Sequence, residues 1–199
     1  MTGARPRGPR GGDADTRGEI VDAARVVFAR DGMERGSFRA VAREAGVDPA
    51  LVHHYFESKA ALFLEALRPL SRADLARTPL ASAPVDQLGA ALVTALLGVW
   101  DAPERTRTLT VLLAAAANDP AVAAELRGVL GGEVLGPVLR AAGVDRIEER
   151  TAACATPLVG LAVVRYVLRV PPIADAPPED LARLIGPQVQ RYLTGPLDP

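Results

Sequence analysis

A chain of 199 residues with 23 Lys and Arg against 24 Asp and Glu, formal net charge −1, has no bulk field for gripping a polyanion, so any nucleic-acid surface has to be a local patch. Apolar residues make up 49% and aromatics only 4%, with Ala, Leu, Arg and Glu prominent, a composition that favours an all-helical fold with a buried core. The single cysteine, Cys154, excludes an intrachain disulfide and a thiolate zinc cluster and fits a reducing cytoplasm.

Residues 1–15 are rich in Arg, Gly and Pro without hydrophobic periodicity, which predicts a flexible arm and no secretory signal. Helical patterning starts at Thr16: Ile20, Ala23, Ala24, Val27 and Phe28 recur at spacings of three and four until Asp31-Gly32 is expected to stop the first helix. Ser37 is a good N-cap for a second helix with Phe38, Val41, Ala42 and Ala45 on one stripe, closed by Gly46. Asp48-Pro49 then caps and opens a short helix through Phe56. Two short helices joined by a glycine turn are a helix-turn-helix, and Ser58 caps a fourth helix with Leu62, Phe63, Ala66 and Leu67 inward. Prolines 69, 79 and 84 mark the boundary between a reading domain, 16–68, and a body, 69–199. Body helices are predicted at 86–100, 104–117, 120–140 with a weak point at Gly131-Gly132, 145–169 and 178–193. No stretch reaches the roughly 20 apolar residues of a membrane span, which predicts a soluble cytoplasmic protein with no membrane partner.

With Val27, Phe28, Phe38, Val41, Val52 and Phe56 holding the first three helices together, the other face of Pro49–Tyr55 is left for the major groove. Pro49, Ala50, Leu51 and His53 are then candidates for base edges and thymine methyls, with His54 and Tyr55 nearer the backbone. Ser37, and Ser58 with Lys59, sit at helix N-termini that suit phosphates, although each serine also serves as a simple cap. Arg39 and Arg43 lie one turn apart and can reach one strand together. Arg5, Arg7 and Arg10 read as a solvated tail or as minor-groove contacts.

The run from Thr16 to Leu67, above all AVAREAGVDPALVHHYFESKAALF, resembles the DNA-binding domain of TetR-family regulators. The Ala-Gly-Val turn falls on Ala45-Gly46-Val47, the Tyr-Phe end of the recognition helix on Tyr55-Phe56, and the Ser-Lys start of the next helix on Ser58-Lys59. The resemblance implies phosphate contacts from Tyr55 and Lys59 and a base-facing Pro49 to His53. Where many relatives carry leucine-tyrosine this chain has Val52-His53, so operator preference does not carry over.

The body resembles one branch of that family more loosely, through Gly98–Asp101 and the run from Val159 to Val170, which implies an effector pocket and a dimer interface on the last two long helices. Leu158, Leu161, Ala162 and Arg165 on one, and Leu181, Leu184, Ile185, Gln188, Val189 and Tyr192 on the other, form stripes suited to a two-fold four-helix packing. Trp100, Leu109, Leu113, Asn118, Cys154 and Tyr166 are the expected pocket lining, with core packing the alternative for each. Adjacent His53 and His54 point about 100° apart on a helix and cannot share a metal, and no nucleophile motif or phosphate loop is present, so no enzyme, metal or cofactor is expected. The expected partners are near-palindromic operator DNA, a second copy of the chain and an unidentified small-molecule effector. The expected role is a homodimeric repressor released by that effector. The alternatives are an activator, or a helical ligand-binding or scaffold protein whose helix-turn-helix meets a protein.

Overall fold

The computed structural model describes residues 13–67, 75 and 78–197, so Arg5, Arg7 and Arg10 lie outside the described residues. Every regular element among the described residues is helical, and the chain divides into two compact units, Met1–Leu67 and Arg68–Pro199.

The first unit holds α1 (Asp13–Arg35), α2 (Phe38–Ala45), α3 (Pro49–Tyr55) and α4 (Lys59–Leu67). The expected stop at Asp31-Gly32 is a kink instead: Gly32 sits at φ 73°, ψ 178°, which glycine tolerates, and helical turns resume to Arg35. Ile20, Ala24, Val27 and Phe28 of α1 are buried with Val41, Val52, Phe56, Leu62 and Phe63. Each large side chain removed from water in this way contributes about 1.5–3 kcal/mol. The Phe28 and Phe63 rings meet edge to face at 5.0 Å. At the rim, the Arg17 guanidinium lies 5.0 Å from the centre of the Phe56 ring and pairs with Glu65 at 3.2 Å. Arg25 Nε donates to the Ala66 carbonyl at 3.0 Å, tying α1 to the end of α4.

The second unit comprises α5 (Leu88–Trp100), α6 (Pro103–Asn118), α7 (Pro120–Val129), α8 (Leu135–Ala141), α9 (Ile147–Ala162) and α10 (Pro178–Thr194). Its core helix is α5, with Leu88, Leu92, Val93, Leu96, Leu97 and Trp100 all buried. Against it lies α10 at a distance that only glycine permits. A Cβ on Gly89 would press on the Gly186 carbonyl oxygen and stand 2.5 Å from Gln190 N, and a Cβ on Gly186 would stand 2.9 Å from Ala90 Cα. Gln190 stitches the seam: Oε1 accepts from Gly89 N at 2.7 Å and Nε2 donates to the Val85 carbonyl at 2.9 Å.

Two predicted helices, one of them with its weak point at Gly131-Gly132, are interrupted by π-helical turns. The 120–140 segment becomes α7, a π turn at Leu130–Val134 and α8. The turn is accommodated because the Gly131 carbonyl oxygen occupies the place a Cβ on Gly136 would take. The 145–169 segment is α9 followed by a π turn at Val163–Val167.

Arg150, only 6% exposed, closes the far end of the unit. Its Nη1 donates to the carbonyls of Tyr192, Leu193 and Gly195 at 2.9–3.2 Å, while Nε and Nη2 reach the Asp145 carbonyl and carboxylate. One buried guanidinium therefore satisfies the otherwise orphaned carbonyls at the C-terminus of α10. Among the described residues no single helix is long and apolar enough to cross a membrane.

Candidate DNA-reading surface and effector cavity

The turn between α2 and α3 is built almost entirely from local chemistry. Ser37, in extended conformation, accepts the Ala40 N–H on its hydroxyl at 3.2 Å and so starts α2. Gly46 ends it in the left-handed region at φ 67°, and Val47 N donates back to the Ala42 carbonyl at 3.0 Å. The Asp48 carboxylate takes the Ala50 N–H at 2.7 Å, and Pro49, which has no N–H to satisfy, begins α3.

On α3 the inward residue is Val52, fully buried, while Pro49, Ala50, His53 and His54 are exposed and Leu51 and Tyr55 are half-buried. The His53 ring meets Phe38 edge-on at 4.5 Å, which fixes the rotation of α3 relative to α2. Phe38, expected in the core, is only half-buried, its ring lying beside the exposed His53. His54 and Tyr55 rings are 5.1 Å apart. Arg39 and Arg43 are exposed on α2, and Glu44 beside them is engaged by Arg30 at 3.6 Å. Ser58 Oγ accepts from Ala61 N at 2.9 Å, and Lys59 Nζ donates to the Glu34 carbonyl at 3.3 Å. The outcome is a short, capped helix with an open face, flanked by two serine-capped N-termini and two exposed guanidinium groups.

In the second unit a cavity of about 60 Å³ lies between α5, α6, α7, the Leu130–Val134 turn and α9. Trp100, Leu109 and Leu113 line it, together with Leu96, Leu112 and Leu126, which the sequence did not single out. Three expected lining residues are elsewhere. Asn118 is exposed at the end of α6, its amide donating to the Ala114 carbonyl at 2.7 Å. Cys154 is fully buried with Sγ 4.0 Å from the Val189 carbonyl, and burial pushes its thiol up to about 12. Tyr166 stands behind Trp100, edge-on at 6.4 Å, and its hydroxyl donates to Asp101 at 2.8 Å; burial and that hydrogen bond raise it above the ordinary phenol range.

The expected interface stripes divide in the same way. Leu158, Leu161, Ala162, Leu181 and Val189 are between 0 and 6% exposed within the subunit itself, and Leu158 and Ala162 are cavity wall. They are spent on the subunit's own core, because a helix buried on its inner face shows the same apolar spacing as one that meets a partner. Arg165 is likewise occupied: it grips both Asp101 carboxylate oxygens at 3.0 and 3.1 Å and donates to the Ile173 and Ala176 carbonyls. Leu184 and Gln188 remain exposed on α10, with Ile185 and Tyr192 half-buried.

Residues 20–66 match the family profile described as bacterial regulatory proteins, tetR family, and residues 86–193 match the tetracyclin repressor-like C-terminal domain. A TetR-family regulator from Streptomyces coelicolor is similar over 94% of this chain and 99% of its own, at 34% identity and a TM-score of 0.68. The multidrug binding protein EbrR, in its complex with ethidium, covers 91% of this chain and 99% of its own at 27% identity and a TM-score of 0.56. The HTH-type transcriptional regulator BetI of Agrobacterium fabrum is 46% identical over 66 residues, which are 33% of this chain and 32% of BetI. The chain thus spans about a third of the length of that curated relative.

Proposed function

The chain belongs to the TetR family of bacterial regulators, and from that premise we propose that it is a homodimeric repressor released from a near-palindromic operator by a small molecule. The observation that carries the reading is the open face of α3, with Pro49, Ala50, His53 and His54 exposed on a helix whose opposite residue, Val52, is fully buried. Two copies insert their α3 helices into successive major grooves, roughly 34–36 Å apart or a multiple of that. Arg39, Arg43, Tyr55, Lys59 and the N-termini at Ser37 and Ser58 hold phosphates, and Pro49, Ala50, Leu51 and His53 read bases. The second copy docks on the Leu184, Ile185, Gln188 and Tyr192 face of α10, the part of the apolar stripe left over by the subunit's core. EbrR is solved with ethidium, and the cavity beside Trp100 supports an effector site here. The effector disfavours the operator-spaced dimer, a coupling on the order of 1–3 kcal/mol.

A fluorescence-anisotropy titration of the full chain on the DNA upstream of its own gene tests this. Saturable binding that weakens steeply with salt and is lost in the Tyr55→Ala/Lys59→Ala double variant is the expected result, since two phosphate contacts vanish from each copy. A folded dimer that binds this DNA and, in a genome-wide selection, all other DNA no better than random sequence would overturn it in favour of a protein partner.

A further inference from the structure

Outside the small cavity, the second unit carries a groove of about 400 Å³ between the Pro79–Leu88 segment and α8, lined among others by Leu80, Leu88, Pro137 and Val138. One residue lines both spaces: Val134, 4% exposed, at the end of the Leu130–Val134 π turn. Its neighbours in the turn split between them, Leu130 facing the inner cavity and Glu133 the outer groove.

The inner cavity alone is well below the roughly 150 Å³ of a dry apolar cavity that takes up benzene. The outer groove has the volume of a small-molecule site but only a shallow wall. The partition between them is a π turn, a form frequent at functional sites, and it contains Gly131 and Gly132, with open space around Gly132 where a side chain would be. Trp100, 9% exposed, gives the inner cavity one aromatic wall.

We propose that Val134 is a gate, and that its displacement joins the two spaces into one effector chamber. The ligand it admits is a mostly apolar molecule, uncharged at its inner end. A charge at the inner end is disfavoured because every side chain on that wall is apolar or the indole itself, so nothing there replaces lost hydration. This rests on the effector reading above and says what the effector is and how it enters.

The test uses the full chain and dansyl amide, an uncharged naphthalene sulfonamide whose own emission rises on burial. Wild-type protein is expected to bind it saturably. Val134→Phe, which jams the partition, and Leu113→Phe, which fills the inner cavity away from it, should each weaken binding by about tenfold or more, because the added ring takes space the probe has to occupy. Circular dichroism and thermal unfolding establish that each variant is folded, and Val134→Ala, which widens the gate without risk of overpacking, should speed association. No saturable binding by the wild type, or affinity unmoved in both folded phenylalanine variants, overturns the gate. Operator release is measured separately: a probe that obeys the gate and leaves operator binding unchanged refutes ligand release and leaves the gate standing.

Discussion

Gly89→Val is expected to unseat α10 from α5 and to cost the second unit about 3 kcal/mol or more, the upper end of overpacking penalties. The size follows from what the added carbons meet. On one side is the Gly186 carbonyl oxygen and on the other Gln190 N at 2.5 Å, both backbone, so no side chain can swing aside and the two helices have to part along their length. Parting them also removes the Gly89 N–H bond to Gln190. Gly98 is the matched control. It lies on the same helix, exposed, with nothing within 4 Å of its would-be Cβ, so Gly98→Ala should stabilise by about 0.5–1 kcal/mol through helix propensity alone. Urea denaturation followed by circular dichroism separates them: opposite signs are expected, and equal small effects would mean that the α5–α10 seam is not close-packed.

Arg150→Met should be comparably damaging, about 3 kcal/mol, because it preserves the bulk of a 6%-exposed side chain and strips five donated hydrogen bonds. The carbonyls of Tyr192, Leu193 and Gly195 would be left without the partner that satisfies them, and Asp145 without its counter-charge. Arg150→Lys keeps the charge and a single donor group and should recover only part of the loss, since one ammonium cannot reach both Asp145 and the end of α10. Protection of the 189–194 amides in hydrogen exchange gives a local reading of the same prediction. Unchanged protection in Arg150→Met would show that the guanidinium is not the clasp.

What the sequence reveals and what it hides follow one distinction. The caps at Ser37, Gly46, Asp48-Pro49 and Ser58 act through atoms two to five residues away, so the helix-turn-helix is readable from the order of residue types. The fate of the apolar stripes on α9 and α10 depends on which neighbour covers them, and spacing is blind to that. Leu158 and Val189 look identical whether they face a partner or the subunit's interior. The π turns are hidden for a related reason. Gly131-Gly132 announces a weak point, but the turn forms because Gly136 yields room to a carbonyl five residues back, a proximity visible only in three dimensions. Arg165 has the look of an interface cation, yet Asp101, 64 residues upstream, holds it within the subunit. Trp100 is recognisable as a lining residue from its polar handle on an apolar ring, and the residue that separates its cavity from the outside, Val134, carries no chemical signature at all.

The sealed thiol of Cys154 makes the protein its own stopwatch. Thiolate is the reactive form, and a group pushed up to about 12 and fully buried offers almost none of it at neutral pH. An alkylating reagent therefore gains access only when the α9–α10 seam opens, and with one cysteine in the chain each modified molecule counts one opening once the reagent is concentrated enough to outpace reclosing. The rate of mass gain in excess reagent times the breathing of the native body directly, with no label to introduce. An effector that braces that body will register as a slower tick.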